Sequence, residues 1–200
     1  GASGLKAGAR VMLQPGVSCG RCAACLSGRD NECPSYAVLG TRENGGAAEV
    51  VAVPAANLIP IPDSLGFIEA AAFPLTFLTA WHMMITRAHL QPGETVLVLA
   101  AGSGVGQAAI QLAKLHNARV FATAGSEAKA ERGRELGAEV VINHYTEDLP
   151  ARVRQLTNGR GVDVVVEHVG QATWERSDKC LAPGGRLVTC GATTGYEAKM

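Results

Sequence analysis

The sequence carries no excess of charge of either sign: 18 basic residues stand against 18 acidic ones. A nucleic-acid or anionic-membrane partner, which requires a basic face, is therefore not expected. Aromatics are scarce, at 4%, and charged residues make up 18% against 47% hydrophobic ones. That balance excludes an intrinsically disordered chain and leaves ample material for a core. Long apolar runs are also lacking. The most apolar stretches, such as 95–101, are strand-length and short of the roughly 20 residues a bilayer span requires. The opening GASGLKAGARVML shows no apolar core behind a basic flank, so no secretory leader is read there. A soluble, cytoplasmic protein is the expectation. In that setting six cysteines are read as metal ligands or free thiols ahead of disulfides. What is plentiful is glycine, 24 residues, as expected of a chain that turns often and lets its backbone approach something closely.

The pattern along the chain changes near residue 90. Up to about Pro62 it is rich in Gly, Pro and Cys, with short β-like runs at 10–13, 47–53 and 58–61. A helical stretch follows, capped by Asp63 or Ser64, interrupted at Pro74 and resumed over 75–88. From Glu94 strand and helix alternate. Strands are expected at 95–100, 119–123, 139–142, 162–167 and 185–190, and helices at 105–116, 127–136, 147–157 and 171–181. Repeated βα units with apolar strands imply a parallel sheet covered by helices on both faces. The expected organisation is a partial β-rich domain over 1–70, linking helices over 71–92, and an incomplete α/β domain over 93–200.

Cys19, Cys22, Cys25 and Cys33 form C-x2-C-x2-C-x7-C. Four thiolates so close in sequence can close a tetrahedral shell around zinc, and a full shell leaves no position for substrate, so the role is structural. A disulfide pair, free thiols and an iron–sulfur cluster are the alternatives; compartment and spacing disfavour them. Cys180 and Cys190 are expected to be ordinary buried thiols.

The segment VLVLAAGSGVGQAAIQLAK reads as strand, Gly-rich turn and helix, the context in which a glycine pattern has meaning. Gly102, Gly104 and Gly106 permit close approach of a pyrophosphate, and the helix starting near Val105 offers it free N–H groups and a positive dipole end. Aligned on Gly106, the first two fingerprint glycines are replaced by Ala101 and Ser103. Both are small, and Ser103 adds a hydroxyl. The alternative is a βαβ turn whose glycines serve packing alone. About 20 residues on, where a carboxylate would hold the ribose hydroxyls of NAD, the sequence reads Ala122-Thr123-Ala124-Gly125-Ser126. NADP is therefore favoured, with Ser126, Lys129 and Arg132 near enough for a 2′-phosphate, while NAD stays open. Ser126 also fits the cap of the next helix. His168 and Gly191 follow the fourth and fifth strands, where open parallel sheets bind ligands. His168 could line a nicotinamide site, although packing is the commoner role for a lone histidine.

The order of the cysteine loop, GGAAEVVAVPAANLIPIP, PLTFLTAW and LAAGSGVGQAAIQLAK resembles the zinc-containing, alcohol dehydrogenase-like members of the medium-chain dehydrogenase/reductase superfamily. ATAGSEAKAERGRELGAEVVIN looks like their NADP-preferring, quinone reductase-like branch. The resemblance implies a GroES-like catalytic domain followed by a Rossmann domain, with a small-molecule substrate and a homodimeric or homotetrameric assembly. It places Thr79 at the nicotinamide and Leu75 at the position of a cysteine ligand to a catalytic zinc. Leucine cannot bind zinc, so a catalytic zinc is doubtful. The chain reads as an internal fragment of such an enzyme, with the main catalytic groups outside it. The activity implied is hydride transfer between NADP(H) and a small alcohol, aldehyde or ketone, quinone or enone. The competing reading is a nucleotide-binding or structural protein on the same fold without turnover.

Overall fold

The computed structural model describes residues 4–42 and 44–197. The chain divides into two compact units, Gly1–Leu75 and Thr76–Met200.

The first unit holds little regular structure. Strand β1 (Val11–Leu13) pairs antiparallel with β4 (Leu58–Pro60), and β2 (Gly16–Val17) with β3 (Ala37–Val38). Buried Asn57 ties these strands together. Its amide donates to the carbonyl oxygens of Gln14 and Gly16 at 2.7 and 2.6 Å. A short helix α1 (Ala23–Leu26) lies inside the cysteine loop. The strand expected over 47–53 is not formed; those residues are bends and irregular chain. Alternating apolar residues make a strand only where a neighbour accepts their backbone bonds, and none is paired there among the described residues.

Helix α2 (Phe67–Trp81) contradicts the expected interruption at Pro74. It runs through the proline and continues as a π-helical stretch, His82–Arg87. Proline removes only the bond to the Ala70 carbonyl; Ala70 and Pro74 themselves are buried, whereas Phe67, Ile68, Phe73 and Leu75 around them are exposed. The combined run Phe67–Arg87 is, by length and composition alone, long and apolar enough to cross a membrane, a length that the expected break at Pro74 conceals in the sequence. Its Ala80, Met83 and Met84 are buried in the core of the second unit.

The second unit is a five-stranded parallel sheet in the order β7-β6-β5-β8-β9, formed by β5 (Thr95–Val98), β6 (Arg119–Ala124), β7 (Val140–Asn143), β8 (Val162–Glu167) and β9 (Leu181–Thr189). Helices α3 (Gly104–Leu115), α4 (Glu127–Glu135), α5 (Leu149–Leu156) and α6 (Trp174–Lys179) connect them. The order reverses beside β5, so the crevice beyond the carboxyl ends of β5 and β8 is where this topology binds ligands. Two apolar clusters fill the faces of the sheet. One joins Val96, Val98, Val120 and Val164 to α3 and the π-helical stretch; the other joins Leu97, Phe121, Ile142 and Val165 to α5. Near-continuous burial of the strands is the mark of a parallel sheet covered on both sides.

Asp148 caps α5, accepting from the Ala151 N–H at 2.9 Å, and Pro150 sits in the first turn where its missing donor is harmless. Helix α6 is shorter than expected, and β9 begins at Leu181 rather than 185. Its register slips between Leu181, opposite Val162, and Arg186, opposite Val164, because Pro183-Gly184-Gly185 bulge out of the ladder. Cys180 is buried, as expected, and burial pushes its thiol up to about 12. Cys190 is exposed, contrary to expectation: it follows β9, whose outer side has no neighbour among the described strands.

Candidate functional site

The cysteine loop brings its four sulfurs together. The Sγ atoms of Cys19, Cys22, Cys25 and Cys33 all lie within 4.8 Å of one another, with Cys22 and Cys25 at 3.4 Å and Cys19 and Cys25 at 3.9 Å. Zinc–sulfur bonds of about 2.3 Å at tetrahedral angles need sulfurs roughly 3.8 Å apart, so the donor set fits the ion. Backbone N–H groups point at the sulfurs: Cys19 and Ser35 donate to Cys33 Sγ at 3.5 and 3.4 Å. The N–H groups of Arg21 and Cys22 help hold the Cys19 thiol down, at about 6. Such donors favour thiolate over thiol, the state a metal ligand requires. Gly20 and Gly28 have positive φ angles of 69° and 74° and supply the reversals that fold the loop.

The second site is built at the carboxyl end of β5. Ala100 takes a positive φ of 51°, rare for alanine, and swings the chain off the sheet. Thr123 of β6 holds that turn. Its hydroxyl accepts from Ala100 N–H at 3.0 Å and its carbonyl from Ala101 N–H at 2.8 Å. Ser103 then caps α3, its Oγ accepting from Gly106 N–H at 2.9 Å. Each loop glycine has its own neighbour. A Cβ on Gly106 would overlap the Ala100 carbonyl oxygen, so helix and strand can approach this closely only with glycine. A Cβ on Gly102 would lie 2.8 Å from the Lys129 stem, and one on Gly104 2.8 Å from the Thr76 methyl. Helix α3 begins with Gly104, Val105 and Gly106; Ser103 takes the Gly106 N–H, while those of Gly104 and Val105 lie in the first turn, at the positive end of the helix dipole, where no intrahelical acceptor exists.

Beyond β6, Ser126 occupies the cap position of α4, but its hydroxyl makes no capping bond. Lys129 is exposed, its stem against Gly102 and its ammonium in no ion pair among the described residues. Glu127, in the first turn of α4, is engaged by Arg134 at 2.7 Å, whereas Arg132 pairs with Glu135 at 2.9 Å. Two residues here carry no local signal in the sequence. His144 and Tyr145, after β7, stand over Gly125, with their rings 4.4 Å apart. Burial holds the His144 imidazole below its ordinary value, and the charges of Arg176 and Lys129 add to the effect.

At the far side of the crevice, His168 follows β8. Its Nε2 lies 3.0 Å from Ser103 Oγ, and its Nδ1 is buried without a partner among the described residues. Burial pushes its imidazole down. Glu167 beside it is fully buried, its carboxylate accepting from the N–H groups of Val169 and Gly170 and the hydroxyls of Thr173 and Ser177. Gly191 faces the His168 carbonyl, where an added Cβ would lie 3.8 Å away, and lines a cavity of about 510 Å³ with Gly170, Trp174 and Cys190. Thr79 lies on α2 one turn beyond Thr76, the residue that meets the loop at Gly104. Among the described residues no hydrogen bond joins Thr79 itself to the loop. Leu75 is on the same helix and 59% exposed. Glu167 and Thr123 are legible in the sequence only as strand residues, since nothing in their spacing shows what a buried polar side chain will bind.

Residues 1–63 match the alcohol dehydrogenase GroES-like domain family and residues 104–200 the zinc-binding dehydrogenase family. A crystal structure of an NAD-dependent alcohol dehydrogenase is 52% identical to this chain, with a TM-score of 0.94 over 97% of this chain and 57% of that one. Quinone oxidoreductase of Salmonella typhimurium is 39% identical over 135 residues, covering 68% of this chain and 41% of that protein. A phenolphthiocerol/phthiocerol polyketide synthase of Mycobacterium tuberculosis is 42% identical over 139 residues, covering 70% of this chain and 6% of that protein. The chain thus spans little more than half the length of even the first of these.

Proposed function

The chain belongs to the medium-chain dehydrogenase/reductase family, pairing a GroES-like part with a Rossmann sheet, and from that premise we propose that the intact protein transfers a hydride between NADP(H) and a small carbonyl, alcohol, quinone or enone. When bound, the nicotinamide supplies the hydride chemistry; the chain binds, orients and shields it. The N-terminal N–H groups of α3, with Ser103, receive the pyrophosphate. Ser126 and Lys129 receive the 2′-phosphate, and the 79%-exposed ring of Tyr145 offers the adenine a stacking face. Thr79 and Gly191 are assigned to the nicotinamide end; His168, a candidate for the same end, lies against Ser103. Residues 1–70 contribute part of a catalytic domain, 71–92 the linking helices and 93–200 the cofactor domain.

The observation that carries this reading is the end of β6. There the Ser126 hydroxyl makes no capping bond, the Lys129 ammonium has no ion pair among the described residues, and the sequence has no carboxylate at the position that selects NAD. The 52%-identical structure is of an NAD-dependent enzyme, so the NADP preference rests on this chain's own residues. Fluorescence titration of the full-length protein with NADPH and NADH tests it. Tighter binding of NADPH supports the proposal, and tighter binding of NADH refutes the preference.

The cysteine shell is assigned a structural zinc. With Leu75 at the third-ligand position, substrate polarisation falls to hydrogen-bond donors, which suits quinone or enone reduction better than alcohol oxidation. Protein that binds NADPH yet turns over no quinone, enone, aldehyde or alcohol would support the non-catalytic alternative. Assembly as a homodimer or homotetramer is proposed with the family and is read by light scattering.

A further inference from the structure

Three atoms in the cofactor crevice raise a question of proton placement. Ser103 Oγ accepts from Gly106 N–H at 2.9 Å and lies 3.0 Å from His168 Nε2. The other ring nitrogen, Nδ1, is buried without a partner among the described residues. A neutral imidazole carries its proton on one nitrogen only. Were it on Nδ1, a buried N–H would be orphaned and the Ser103 hydroxyl proton would be spent on Nε2. Were it on Nε2, the orphan would be a lone pair. Buried orphan donors are the rarer of the two in native structures.

We infer that His168 is a positioning residue that donates from Nε2 to Ser103, so that both acceptor sites of the hydroxyl are filled and its own proton is turned toward the cofactor pyrophosphate. Ser103 is thereby converted from a helix cap into a helix cap that also donates to an anion. The neutral ring the arrangement needs is favoured by burial, which pushes the imidazole down. This inference rests on the cofactor-binding reading above and goes beyond it, because it moves His168 from the nicotinamide to the phosphate loop. Its side chain acts through Ser103, and the same hydrogen bond joins the ends of β5 and β8.

The first test needs no variant of the crevice to fold. In the full-length protein, labelled with 15N-histidine and free of cofactor, the His168 ring is expected to show a protonated Nε2 and an unprotonated Nδ1; the opposite tautomer overturns the inference. NADPH affinity is the second test, measured beside melting temperature. His168→Gln keeps an N–H near the Nε2 position and is expected to retain wild-type affinity. His168→Met removes the donor and is expected to weaken NADPH binding about tenfold, the range for one hydrogen bond to a charged group. In a Ser103→Ala background the same His168→Met change is expected to add no further loss, a coupling that mere packing would not produce. Unchanged affinity in His168→Met overturns the inference and leaves the cofactor reading standing. Wild-type protein that binds neither NADPH nor NADH overturns that reading, and this inference with it.

Discussion

Arg186 grips both carboxylate oxygens of Glu94, at 2.8 and 2.7 Å, and reaches the Ala88 carbonyl with its Nε at 2.9 Å. One side chain thus ties β9 to the turn before β5 and to the end of the π-helical stretch. The pair is half-sheltered and bidentate, so it is worth more than a typical surface ion pair. Arg186→Met is expected to cost about 2 kcal/mol in denaturant unfolding. The guanidinium holds the Glu94 carboxyl below its ordinary value of 4.5. A depressed carboxylate contributes stability that is complete above the unfolded value and is lost as pH falls through the folded one. The stability gap between wild type and Glu94→Gln should therefore shrink as pH drops below 4.5, and a gap that grew in acid would contradict the pairing.

Glu167 is buried among donors alone: two backbone N–H groups and the hydroxyls of Thr173 and Ser177. Glu167→Gln keeps the shape and one acceptor for the two N–H groups but removes the charge and turns an NH2 toward the Thr173 and Ser177 hydroxyls, which must then rotate to accept. A loss of about 2–3 kcal/mol is expected, with local loosening of the turn after β8. Amide hydrogen exchange at Val169 and Gly170 is the direct readout, and unchanged protection there would count against the role.

The cysteine shell predicts one structural zinc held by four thiolates. Elemental analysis of purified protein should find it, and Cys33→Ser should lose both the metal and the order of the loop. Full-length protein with one zinc per chain would agree with Leu75 lacking a catalytic ion. Two would show that a catalytic zinc is held by another ligand set.

Lys129 is expected to govern cofactor choice through its charge. Lys129→Glu should weaken NADPH binding by at least about tenfold and leave NADH binding much less affected, because only the former adds a dianion beside Ser126. An equal loss for both cofactors would mean that Lys129 acts through its packing on Gly102 and not through a 2′-phosphate.

Much of this molecule is written locally in its sequence. Hydrophobic runs of strand length, separated by amphipathic helices, specify the parallel sheet from Thr95 to Thr189, since each signal spans only a few residues. The spacing of Cys19, Cys22, Cys25 and Cys33 places four sulfurs within reach of one ion, and the chain needs no distant partner to bring them there. The glycines after β5 likewise mark the turn into α3, because a tight turn next to a helix restricts what fits. Tertiary structure decided the rest. Helix α2 runs through Pro74, which costs it one hydrogen bond while the turns on either side keep theirs, and residues 47–53 form no strand because a strand requires a partner for its backbone. Ser103 and His168 are 65 residues apart, and their hydrogen bond exists only because β5 and β8 are neighbours in the sheet. Local spacing marks most of the elements; whether a marked run finds a partner, and which distant polar groups meet, is settled only when the strands take their order.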